Sequence, residues 1–112
     1  MPLINIKTSF SEQEQLNQLL KEISICLTNL TGKPEKYVMA SIQSNLAMTF
    51  GGSEEHCCYI EVKSIGSLNP KQMSNEICNK INSITGIKKD RIYINFQDIS
   101  PRDWGFNGST FG

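Results

Sequence analysis

Apolar residues recur along this chain at two spacings, and each spacing predicts a different element. Leu16, Leu19, Leu20, Ile23, Leu27 and Leu30 fall three and four residues apart, which predicts an amphipathic helix. Ser11, with Glu14 three residues on, forms a capping-box pattern at its start. Gly32, with Pro34 just beyond, marks its end. A second stripe, Met73, Ile77, Ile81 and Ile84, opens at Asn69-Pro70 with Gln72 in the first turn, and stops at Gly86. Elsewhere the period is two, which predicts strands. "LINIKT" puts Ile4 and Ile6 on one face, and "YVMASIQ" does so with Val38, Ala40 and Ile42. "CYIEVK" aligns Cys58, Ile60 and Val62; "RIYINFQ" aligns Ile92, Ile94 and Phe96, with Tyr93 and Asn95 opposite. "LAMTF", ahead of Gly51-Gly52, predicts a short extra strand.

The two helical patterns belong to an internal repeat. "LTGKPEKYVMASIQ" (30–43) aligns with "ITGIKKDRIYINFQ" (84–97) at an offset of 54, and Ile6, Ile23 and Leu27 fall on Ile60, Ile77 and Ile81. The chain therefore reads as two tandem β-α-β units. Each crossover favours a parallel pair with a right-handed connection. The expected fold class is α+β, with a four-stranded mixed sheet and two helices on one face. The other face would carry Leu3, Met39 and Tyr93 uncovered, which predicts contact between subunits.

Composition narrows the class. The 112 residues fit one domain, 1–112, with 38% apolar residues and a small core that oligomerisation would help. Eleven basic and eleven acidic residues cancel, so there is no basic footprint for nucleic acid. No apolar stretch approaches the roughly 20 residues of a membrane helix, and no leader pattern opens the chain. A soluble, cytoplasmic protein is expected. Cys26, Cys57, Cys58 and Cys78 lack the spacing of a disulfide framework and read as free thiols. His56 has no partners at zinc spacing, so no metal is expected, nor any other cofactor. Pro2 permits removal of Met1, which would leave a secondary amine at the start of a strand. Proline is also tolerated at a strand start without any chemistry.

Taken in order, "MPLINI", "TGKP" with Tyr37, "MTFGGS", "SIG", "DRIYINF" and the terminal "NGSTFG" resemble the macrophage migration inhibitory factor family of the tautomerase superfamily. The markers run from the first residue to the last. The resemblance implies a homotrimer whose sheets line a central channel, with keto–enol tautomerase sites at the subunit interfaces. It casts Pro2 as the general base once Met1 is removed. It gives Lys33 and the backbone of Ile65 to the substrate carboxylate. Tyr93 and Asn95 would reach in from a neighbouring subunit, although packing within an oligomer explains their outward position equally well. Tyr37 would line the pocket. The family's tryptophan two residues after a valine appears here as Phe106 after Trp104, and Phe111 keeps its place.

The function so implied is tautomerisation of a phenylpyruvate-like α-keto acid, a small-molecule substrate. A nearby Lys33 cation and an apolar wall both disfavour a protonated proline amine, which moves its pKa towards neutrality. The alternative is a leaderless, cytokine-like binding protein with a vestigial site, exported without a signal and met by a receptor. Thiol redox chemistry is not carried over. Cys57 matches the first cysteine of a C-x-x-C pair found in the best-known member of the family, but Ile60 stands at the second, and adjacent Cys57 and Cys58 form only a strained disulfide.

Overall fold

A computed structural model describes residues 1–112. Strand β1 (Leu3–Thr8) leads into helix α1 (Gln13–Thr31) and strand β2 (Met39–Gln43). Strand β3 (Cys58–Ser64), helix α2 (Pro70–Thr85) and strand β4 (Ile92–Asp98) repeat that order. A hairpin, β5 (Gly105–Phe106) and β6 (Ser109–Thr110), closes the chain. The main sheet runs β2-β1-β3-β4. β1 pairs with β2 in parallel and β3 with β4 in parallel, and the two halves meet along the antiparallel β1–β3 ladder. The expected mixed sheet is therefore present, and its helices share one face.

The period-two pattern explains that face. Ile4, Ile6, Cys58, Ile60, Val62 and Ile92 pack in one buried cluster with Leu16, Leu19, Ile23 and Leu27 of α1 and Met73, Ile77 and Ile81 of α2. Fully burying a side chain of this size contributes about 1.5–3 kcal/mol. Leu20 departs from the predicted stripe and is exposed. It lies one position round from Leu19, beyond the arc that faces the sheet.

The repeat persists in atomic detail at the helix ends. Thr31 Oγ1 donates to Leu27 O at 2.7 Å, and Thr85 Oγ1 donates to Ile81 O at the same distance. Each hydroxyl then accepts the backbone N–H two residues on, from Lys33 and from Ile87. Gly32 and Gly86 take the left-handed conformation that ends each helix, with φ of 69° and 77°. "TG" is thus a stop-and-turn device used twice, each time followed by a single 3-10 turn, at Glu35–Tyr37 and at Lys89–Arg91.

Three expectations fail locally. The Ser11–Glu14 capping box does not form: α1 begins at Gln13, after Glu12, without a side-chain cap. Asn69 precedes α2 but leaves its backbone uncapped, because its side chain donates to Gln72 Oε1 instead. "LAMTF" is not a strand; Asn45 and Leu46 bond back to Phe10 and Thr8, and Phe50 makes one bridge to Ser53. No helix is long and apolar enough to cross a membrane.

Candidate functional site

The chain begins at the edge of a cavity. Pro2 lies just ahead of β1, and its carbonyl accepts the Met39 N–H of β2 at 3.1 Å. That bond extends the parallel ladder by one residue and fixes the proline. Its ring is fully buried. The cavity beside it measures about 550 Å³, within the usual range for a small-molecule site. Met1, Pro2, Leu3, Val38, Met39 and Ile99 give it an apolar wall. Tyr37, Trp104, Phe106 and Phe111 give it an aromatic one.

The aromatic wall is assembled by the last residues. Asn107 and Gly108 turn β5 into β6 with positive φ of 52° and 79°, the pairing that a tight hairpin favours. The turn brings Phe106 and Phe111 into a stack, with centroids 5.2 Å apart and planes at 11°. Tyr37 meets Phe106 edge-on at 5.9 Å, so the hairpin docks against the turn that precedes β2. Phe111 N–H also donates to Trp104 O.

Electrostatics at the N-terminus follow from this placement. Burial, and then the Lys33 cation, lower the pKa of the Met1 amine below the ordinary α-amino value. Lys33 owes its place to the Thr31 turn. The equivalent position in the second repeat is Ile87, which is buried, so a core position of the repeat is given over to a cation here. Lys33 acts on the amine through space and is not among the residues that line the cavity.

The other candidate residues are divided. Pro2, Tyr37, Trp104, Phe106 and Phe111 come together in one chain. Ile65 lies just past β3, half-buried, beside the bond from Ile99 N–H to Ser64 O, and does not line the cavity. Tyr93 and Asn95 lie on the uncovered face of β4, opposite Tyr59 and Glu61. β4 is two strands away from β1, and Tyr93 is four residues, about 13 Å, along it from the level of Lys63 and Leu3. Within one chain they do not reach the cavity.

Sequence alone did not single out Lys36, Lys63, Met39, Asp103 and Ile99 as lining residues. For Lys63 a signal existed: it has the same parity as Tyr59 and Glu61, so it faces away from the helices. It pairs directly with Leu3.

The whole chain, residues 1–112, matches the family model for macrophage migration inhibitory factor (MIF). The chain belongs to the macrophage migration inhibitory factor family. It is 38% identical over 116 residues to a MIF homolog of Brugia malayi, covering all of both chains. It is 32% identical to the MIF of Xenopus tropicalis, covering 99% of each. Among solved structures, a MIF homologue from Prochlorococcus marinus superimposes with a TM-score of 0.92 at 50% identity, covering 98% of this chain and 99% of that one. A MIF-like protein from Entamoeba histolytica does so with a TM-score of 0.90 at 29% identity, covering 98% of each.

Cys57 and Cys58 are both buried and free, and Ile60, where a C-x-x-C pair beginning at Cys57 would need its second cysteine, is a core residue. Burial pushes the Cys58 thiol up to about 11, far from a reactive thiolate at neutral pH.

Proposed function

We propose that the mature protein is a keto–enol tautomerase of phenylpyruvate-like α-keto acids, with the Pro2 amine as its general base. The observation that carries this reading is the place of Pro2: fully buried, in the wall of an aromatic-lined cavity, one residue inside an amine whose pKa burial and Lys33 already lower. While Met1 is attached, the Pro2 nitrogen is an amide and no base. Once Met1 is removed it becomes a secondary amine, and the same burial and the same cation act on it. Pro2 takes a proton from the carbon beside the carbonyl, and the enolate oxygen is protonated in turn. The reaction is an isomerisation, balanced without a cofactor. The family resemblance gives the carboxylate to Lys33 and the backbone of Ile65, although neither lines the cavity of a single chain, while Tyr37, Trp104, Phe106 and Phe111 enclose the ring.

The 112 residues act as one domain, and three copies complete the sites. Both edge strands, β2 and β4, have an unpaired outer ladder, and Met39, Tyr93 and Phe106 are exposed although large and apolar or aromatic. In the trimer Tyr93 and Asn95 of one copy serve the cavity of the next. Light scattering at micromolar concentration tests this, with a trimer mass expected and a monomer mass against it.

The activity is tested by the ultraviolet change of phenylpyruvate with wild-type and Pro2→Gly proteins, both shown by intact mass to lack Met1. Loss of a positioned base costs on the order of 10²-fold or more. Equal rates would remove Pro2 from the mechanism.

A further inference from the structure

We infer that Asp98 is a positioning residue for the substrate carboxylate, acting through the backbone of Ile65. The inference rests on the tautomerase reading and adds the side chain that shapes its carboxylate subsite. Ile65 follows β3, two residues after Lys63, which lines the cavity, and so lies within about 7 Å of it along the chain. It stands between two anchors on the β4 side. Ile99 N–H donates to Ser64 O, and Gly66 N–H donates to Asp98 Oδ1, both at 2.9 Å. Ile99 also lines the cavity.

The anchors fix where the Ile65 amide points. Every peptide bond is trans, so the C=O and N–H of one peptide point opposite ways. The Ser64 carbonyl is turned towards β4. The Ile65 N–H is therefore turned towards β1, on the other side of β3. β1 and β3 are antiparallel with Leu3 opposite Lys63, and the next pairs on that register are Pro2–Ser64 and Met1–Ile65. The amide thus faces the place that Met1 leaves when it is removed, beside the Pro2 amine.

The second anchor is the one that a side chain supplies. Gly66 and Ser67 both have positive φ, 68° and 58°, and for Ser67 that conformation is strained. Such a turn keeps its shape only where its neighbours hold it. The Ser64 hydroxyl is buried at its root and bonds to nothing, so it supplies no hold. Asp98 does, through an N–H bond to a carboxylate, which is stronger than one between neutral groups. Asp98 pairs with Ser64 at the last rung of the β3–β4 ladder, which puts its side chain within reach of the turn.

The experiment measures kcat and KM separately for phenylpyruvate and for its methyl ester, with Met1 removed from every protein. Asp98→Ala should raise KM for the acid by about five- to tenfold and leave kcat within about twofold, since Pro2 does not move. The ester has no anion to hold and should change less. Asp98→Asn keeps the acceptor and should stay near wild type. Should Asp98→Ala fail to fold, Asp98→Glu, which keeps the charge but displaces the acceptor by one methylene, takes its place in each comparison. An unchanged KM in Asp98→Ala, a loss in kcat rather than KM, equal losses in Asp98→Ala and Asp98→Asn, or equal losses for acid and ester each overturn the inference and leave the tautomerase reading standing. If no protein turns over either compound, binding of phenylpyruvate is read by quenching of Trp104, the one tryptophan of the chain, which lines the cavity. Binding weakened in Asp98→Ala but not in Asp98→Asn then supports the clamp and refutes the tautomerase reading. Equal binding by all three proteins overturns the two together.

Discussion

Arg91 is the most heavily bonded side chain outside the cavity, and its removal has a calculable cost. It is buried at the end of the second 3-10 turn. Its guanidinium donates to four carbonyls: Glu55 at 2.8 Å, Phe50 at 3.1 Å, and Ser53 and His56 at 3.2 Å. It also lies over the Phe50 ring at 5.3 Å, and Phe50 in turn packs on Tyr93 at 4.6 Å. One side chain thus ties the whole 50–56 loop to the start of β4. A hydrogen bond to a charged group contributes about 1.5–3 kcal/mol. The four do not add, because Gly51, Gly52, Glu54, Glu55 and His56 are exposed and their loop can hydrate once released. Arg91→Ala is therefore expected to lose about 3 kcal/mol, a large part of the 5–15 kcal/mol that a domain possesses. Arg91→Lys keeps the charge but not the planar fork, and should lose roughly half as much. Urea unfolding at one fixed protein concentration measures both. An Arg91→Ala protein within about 1 kcal/mol of wild type would refute the reasoning, since exposed substitutions stay below that.

Other outcomes follow from the same geometry. Lys33→Ala should raise KM for phenylpyruvate by about tenfold, the worth of one charge-assisted hydrogen bond. It should also shift the pH–rate profile upward, since the cation that disfavours the protonated amine is gone; an unmoved profile counts against Lys33 as an electrostatic partner. Native Cys58 should resist iodoacetamide at pH 8 and react once the chain is unfolded, because burial holds its pKa near 11. The folded value lies above the ordinary value of 9, so this thiol contributes stability below pH 9 and loses it as the pH climbs towards 11. Alkaline urea titrations of wild type and Cys58→Ser should diverge in that window.

Much of the frame can be read from spacing alone, because burial of one face imposes period two on a strand and period 3.6 on a helix. Ile4, Ile6, Ile60 and Val62 show it in the strands, and Ile23 and Ile77 in the helices. The 54-residue offset then gives the two parallel pairs, since each unit must bring its two strands side by side, but not the antiparallel β1–β3 seam that joins them. What spacing misses is where the two repeats have diverged. Tyr37 and Arg91 occupy equivalent positions at the ends of the two 3-10 turns, yet one lines the cavity and the other clamps a loop. The hairpin β5–β6 carries its signal openly in Asn107-Gly108, but two-residue strands show no alternation to reveal them. The capping box at Ser11 was written in the sequence and not used, because the entry to α1 is set by where Phe10 packs into the core. The cavity itself draws on residues from both ends of the chain, and Lys36 and Lys63 join it only through the fold.

The central claim is that a buried N-terminal amine beside Lys33 is the base, and the pH dependence of kcat/KM for phenylpyruvate tests it most directly. With Met1 removed, activity should rise with pH through a single ionisation and level off once the amine is free. Its midpoint should lie below the pKa of the proline amine in a short, unstructured peptide with the same first residues, as burial and Lys33 dictate. A midpoint at or above that of the free peptide, or a rate independent of pH, would contradict the account.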